Sequence, residues 1–151
     1  MNTHIVLTAN LAVYCFHLGG HLLNSVVNLP NWSSGTVEDM QRYSQFYHRR
    51  SNASFFGPVV LLSIVVGVGA LLLVWNSDSL SRCLAMADLA ISLVLFLIVL
   101  AIFRPMNIYF SGGKYEAKKL AHLVHRWKFY NRIRLVLVTA GFVVAVLLLN
   151  Q

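Results

Sequence analysis

Four stretches of this chain, near 4–28, 53–75, 80–103 and 131–149, stay apolar over roughly twenty residues, the length an α-helix needs to cross a hydrocarbon core about 30 Å thick. With 58% hydrophobic and 11% charged residues and a mean hydropathy of +0.67, the chain is too apolar for an ordinary soluble domain of its size. It reads as one integral membrane domain, 1–151, all-α: a four-helix transmembrane bundle with antiparallel up-down topology. The flank Met1–His4 has no Lys or Arg and no clear small-residue cleavage site follows, so the first span is expected to be a permanent helix rather than a signal peptide.

The net charge of +7 is concentrated in two connections. Arg42, Arg49 and Arg50 follow span one; Arg104, Lys114, Lys118, Lys119, Arg126, Lys128, Arg132 and Arg134 follow span three; the opposite side carries only Arg82. Nucleic acid is therefore not the expected partner. The positive-inside rule puts residues 29–52 and 104–130 in the cytoplasm and both termini outside, as in a bacterial inner membrane. Cys15 and Cys83 fall at different depths, which predicts no disulfide and a small-residue packing role for both.

Leu29-Pro30-Asn31 is expected to end the first helix, with a loop through Gly35 and an amphipathic segment Val37–Arg50 lying at the headgroups. Gly67-x-Gly69 permits a close helix contact in span two, and the short Asn76–Ser79 loop makes spans two and three antiparallel neighbours. Phe103-Arg104-Pro105 is expected to end span three, because proline donates no backbone hydrogen bond and pushes its predecessor from helical angles. After Ser111-Gly112-Gly113, a helix from Tyr115 runs straight into span four.

Down span one, Asn10, Tyr14, His17, His21, Asn24 and Asn28 share one helix face. At about 100° per residue their directions stay within roughly 40° of one line. Polar seams in apolar helices are costly and line bundle interiors or pathways. The four-residue spacing of His17 and His21 aims both imidazoles into one space. Three readings follow: a cofactor-free polar site, a metal or haem (copper or iron) site needing at least one further ligand, or structural hydrogen bonding between helices.

Asp88, a carboxylate inside span three, must be near an end, paired or protonated, since an ionised Asp near a helix centre costs roughly 2.5–3.5 kcal/mol. Asn10 or Tyr14 can face it; a structural hydrogen-bond role is favoured over a proton relay. His48, His122 and His125 are expected at the cytoplasmic surface. At the inner end, Arg104 and Asn107 meet Trp127, Asn131 and Arg134, whose spacings put them on one helix face. His21, Asn24 and Asn28 reach the same depth, giving a shared polar pocket.

Gly19-Gly20-His21 through Val27-x-x-Pro30, Phe46-Tyr47-x-Arg49 before Pro58, Arg104-Pro105-x-Asn107 and Trp127-x-x-x-Asn131-x-x-Arg134 resemble the anthrone oxygenase-like family of small four-helix membrane proteins. The resemblance departs at Asn131, where many members carry His. It implies a bundle that assembles the polar ends of helices one, three and four. It also implies oxidation of anthrones to anthraquinones by molecular oxygen without metal or flavin. On that chemistry, His21 or His17 is the base, Arg104 and Arg134 hold the enolate, and Asn24, Asn107 and Asn131 orient it. Asn28, Trp127 and Tyr14 complete the substrate surface. The anion passes an electron to oxygen, recombines as a peroxide and loses water. Rival readings are a non-enzymatic binder of a lipophilic small molecule or quinone, and a haem or copper protein on His17 and His21. A homo-oligomer is compatible with each.

Overall fold

The computed structural model describes residues 3–47 and 53–151 and is helical throughout, with no strand among the described residues. Helix α1 is Thr3–Trp32, α2 is Val37–Tyr47, α3 is Ala53–Val74, α4 is Ser79–Ser111 and α5 is Ala117–Leu149. All but α2 are long and apolar enough to cross a membrane. Outward faces carry large apolar side chains such as Phe16, Val26, Leu72 and Val136, as a lipid-facing surface requires.

Inward faces follow one rule. Buried positions recur at alternating steps of three and four: Asn10, Tyr14, His17, His21 and Asn24 on α1; Phe56, Val60, Ser63, Gly67, Ala70 and Val74 on α3; Ser81, Ala85, Asp88, Ser92 and Leu95 on α4. On α5 the same rhythm runs from Leu120 through Trp127, Asn131, Arg134, Val138, Gly141 and Ala145 to Leu148. That is the seam of left-handed helix packing, with a period near 3.5 residues. Helices α1 and α4 each pack on α3 and α5, so they stand across the diagonal from one another.

Chain direction alternates. Leu7, Ala70, Val74, Ala85 and Leu148 cluster at the end that carries the termini. Trp32, Met40, Phe103, Met106, Phe110, Leu120, Val124 and Trp127 close the other end, which carries the long connections. Helix α2 covers this second end through Met40 and through Tyr43, whose ring lies 4.9 Å from that of Trp32.

The two prolines expected to end helices do not. Residues Asn24–Asn28 and Val99–Phe103 form π-helical turns, and each helix then continues through its proline to Trp32 or Ser111. The amides of Leu29 and Arg104 bond to the carbonyls of Asn24 and Val99, five residues back. The wider turn before each proline relieves the ring's clash with the carbonyl four residues back, and the missing proline N–H falls in the first turn of the resumed α-helix. Each π turn also inserts one residue into the seam: after Asn24 the next buried side chain is Trp32, and after Leu95 it is Phe103, eight residues on in both cases rather than seven. Spans one and three are accordingly longer than 4–28 and 80–103.

Small residues set the closest approaches. The Cα face of Gly67 meets Asp88 Oδ2 and Leu89, and Gly141 gives way to the ring of Tyr14, with which a Cβ would collide. Gly113 turns at φ +72°, the left-handed region that favours glycine, in the connection before α5. Cys15 and Cys83 are free thiols, as expected, but both are exposed and do not pack inside. The expectations for His48, Arg49 and Arg50, and the side chains of the Phe46-Tyr47-x-Arg49 motif, lie outside the described residues.

Candidate functional site

The stripe on α1 turns inward along most of its length. Asn10, Tyr14, His17, His21 and Asn24 are all at most 1% exposed, while Asn28 is half-buried. Around it the core divides into two polar groups at different depths.

Nearer the connections, all four spanning helices contribute to one column. The His17 and His21 rings stack at 5.1 Å, and His21 lies almost parallel to Phe56 of α3 at 4.3 Å. Arg134 of α5 places its guanidinium 4.9 Å from the Phe56 centroid and 4.1 Å from that of Phe103 on α4. Trp127 is the third ring around it, at 6.0 Å. A guanidinium is weakly hydrated and planar, so aromatic faces are the environment in which it can be buried with least penalty.

Arg134 Nη2 donates to Asn131 Oδ1 at 2.8 Å, and Asn131 Nδ2 donates to Ser25 Oγ of α1 at 2.9 Å. Trp127 Nε1 donates to Asn107 Oδ1 at 3.3 Å. Lys128 fastens the rim by donating to the Ser33 carbonyl at 2.7 Å. Arg134 is 4% exposed, and no carboxylate among the described residues pairs with it.

Several buried polar atoms in this column have no protein partner: both ring nitrogens of His17, both of His21, and Arg134 Nε. Buried donors and acceptors are nearly always satisfied, so unsatisfied ones clustered together mark a place where a ligand's polar atoms can complete the set. The chemistry on offer is an acid–base imidazole pair beside a fixed positive charge, with aromatic rings packed against both.

The second group lies toward the termini. Tyr14 Oη donates to the Asp88 carbonyl at 3.3 Å and lies 3.0 Å from Ser92 Oγ. Asp88 is fully buried, with Asn10 and Tyr14 in electrostatic reach of its carboxyl but neither in hydrogen-bond geometry with it. Tyr14 thus serves Asp88 and Ser92 rather than the arginine.

Of the residues singled out in the sequence, His17, His21, Asn131, Arg134 and Trp127 come together, with Asn107 at their edge and Asn24 buried on the same seam. Arg104 does not join them: it is exposed. Phe103 takes the inward position after the π turn, and a neighbour one residue on is rotated about 100° away. His122 and His125 are exposed, at the connection end as expected. For a metal, no group of three or more His, Cys, Asp or Glu side chains stands together among the described residues. His17 and His21 stack as a pair at 5.1 Å, with no third such side chain grouped with them among the described residues.

Sequence reasoning passed over Ser25, Phe56, Phe103 and Ser92. The serine was findable, because Ser81, Asp88 and Ser92 repeat the polar spacing of span one. Phe56 and Phe103 give no such signal, being apolar residues in apolar spans, although each stands just before a Gly-Pro or Arg-Pro pair.

Compared with known proteins, the chain matches the family model described as anthrone oxygenase over residues 44–144. The match takes in all of α3 and α4 and most of α5, hence Asn107, Trp127, Asn131 and Arg134; the histidine pair lies before it. No curated protein and no solved structure matches.

Proposed function

The chain belongs to the anthrone oxygenase family, and from that premise we propose that it is a membrane-embedded, cofactor-independent oxygenase acting on a lipophilic phenol of the anthrone type. The observation that carries this reading is the cluster of unpartnered imidazole nitrogens beside a buried, carboxylate-free Arg134. An anthrone is flat, apolar and weakly acidic at its ring methylene. His21, or His17 behind it, takes the methylene proton, and the electron pair moves onto the carbonyl oxygen as an enolate. Arg134 holds that oxygen, with Asn131 fixing the guanidinium and Phe56, Phe103 and Trp127 flanking the ring system.

Molecular oxygen then takes an electron from the enolate and recombines at the former methylene carbon. The resulting peroxide gains a proton and loses water. The sum is one anthrone and one oxygen molecule giving one quinone and one water. In this proposal the connections 29–52 and 104–130 face the cytoplasm of a bacterial inner membrane, where their positive charge is retained.

The test is oxygen uptake and quinone absorbance with a hydroxyanthrone and detergent-purified protein. Wild type is expected to consume one oxygen per quinone formed, at a rate above buffer, while His21→Ala or the His17→Ala, His21→Ala pair falls at least about a hundredfold, as loss of a general base does. Turnover retained in the double variant would overturn the mechanism. Tight binding without oxygen uptake in wild type would leave a lipophilic-phenol or quinone binder instead.

A further inference from the structure

Asp88 and Arg134 are the two buried side chains of carboxylate or guanidinium type among the described residues, and they do not touch. Tyr14 bonds at Asp88 and its ring packs on Gly141, which lies seven residues beyond Arg134 on α5. At 1.5 Å per residue the two charges are therefore about 10 Å apart along the bundle. Between them, on the single seam of α1, stand Tyr14, His17 and His21, each able to accept and release a proton. The Asp88 carboxyl oxygens have no hydrogen-bond partner, and neither atom of the adjacent Asn10 amide has one. A fully buried carboxyl without a hydrogen-bond partner is costly to keep ionised, and the one opposite charge buried with it among the described residues is Arg134.

We propose that Asp88 is the acceptor and store of the proton removed from the substrate, an inference that rests on the oxygenase reading above. The C–H bond of the bound anthrone breaks, its electron pair becoming the enolate held at Arg134. The proton passes by way of the imidazoles to the Asp88 carboxylate, where an O–H bond forms. A proton resting on either imidazole would put a second positive charge near Arg134 in a medium that screens poorly. Moved to Asp88, it leaves no net change of charge in the core: the resident negative charge has relocated from Asp88 to the enolate beside Arg134. When oxygen has added, the stored proton returns to the peroxide oxygen, water leaves, and Asp88 is ionised again.

The experiment is anaerobic, so that chemistry halts at the enolate. A hydroxyanthrone is added to the detergent-purified full chain, the enolate is read by its visible absorption, and carboxyl protonation is read by infrared difference spectroscopy. Wild type is expected to show the enolate band together with a new carboxylic-acid stretch that is absent in Asp88→Asn. The Asn side chain keeps the shape, and the Tyr14 bonds to Ser92 and to the main chain are unaffected by it. The variant is expected to form roughly tenfold less enolate at equal anthrone, the equivalent of one unit charge across about 10 Å at an effective dielectric near 20.

An enolate band without a new acid stretch, or an acid stretch already present before the anthrone is added, would overturn the role of Asp88 and leave the oxygenase reading standing. An undiminished enolate yield in Asp88→Asn would do the same. No enolate in wild type would overturn both.

Discussion

The two polar groups in the core are built to opposite specifications. Around Asp88 the neighbours are Gly67, Ser92 and, through Tyr14, Gly141, small residues that bring helices close and leave one phenol ring as filler. Around Arg134 the neighbours are Phe56, Phe103 and Trp127, wide rings that shield a cation. Tight packing by small residues is how membrane helices associate when no hydrophobic driving force separates them from lipid. The two halves therefore differ in what packs them, small residues around Asp88 and aromatic rings around Arg134.

The comparison breaks most visibly at the floor that the Arg134 half stands on. Trp127 is packed edge-on by Trp32 at 5.1 Å and Phe103 at 5.3 Å, so Trp127→Ala opens a hole in the closing cluster. Thermal unfolding in detergent should register a loss of about 3–5 kcal/mol, as for other buried tryptophans. A loss under 1 kcal/mol would mean that this end is already loose.

Next in size is the tight half. Gly141→Ala puts a methyl group into the ring of fully buried Tyr14, where overpacking costs about 1–3 kcal/mol, whereas Gly19→Ala meets nothing within 4 Å and should leave the melting temperature alone. Equal effects of the two substitutions would refute the idea that small residues set the spacing here.

The smallest effect lies outside both halves, at the cap of α4. Asp78 accepts from the amides of Leu80 at 2.8 Å and Ser81 at 3.0 Å, and from Ser81 Oγ at 2.6 Å. The Ser81 hydroxyl, then the amides, hold its carboxyl below the usual carboxylate range. Because the folded value is the lower one, its stabilising contribution is complete above the unfolded value of about 3.9 and fades as pH falls through the folded value. Asp78→Ala should therefore lower thermal stability slightly at neutral pH, with the gap to wild type closing in acid. A gap that widens in acid would reverse the sign of this linkage.

The stripe on α1 was legible because polar residues in an apolar span stand out and the helical period places them on one face. The trio Trp127, Asn131 and Arg134 was legible for the same reason. Depth matching across an up-down bundle also brings Asp88 to Asn10 and Tyr14 from the sequence alone. What the chain hid was of two kinds. Phe56 and Phe103 wall the arginine with residues indistinguishable from their lipid-facing neighbours. Pro30 and Pro105 look like helix ends because proline removes a donor, yet in a bilayer an ended helix would expose more unsatisfied backbone than one π turn does. The inward turn of Phe103 in place of Arg104 follows from that same local geometry, which no periodicity count anticipates.

The two π turns carry a consequence for how such a chain can change over time. Each is one surplus residue, placed on diagonal helices at the same end of the bundle, and everything beyond it is phased to that surplus. Deleting one residue from Asn24–Asn28 or Val99–Phe103 would close the π turn to an α turn, restoring the seven-residue step to Trp32 or Phe103 but setting the ring of Pro30 or Pro105 against the carbonyl four residues back. In these ten positions it is the length of the chain, more than the identity of its residues, that heredity has to preserve.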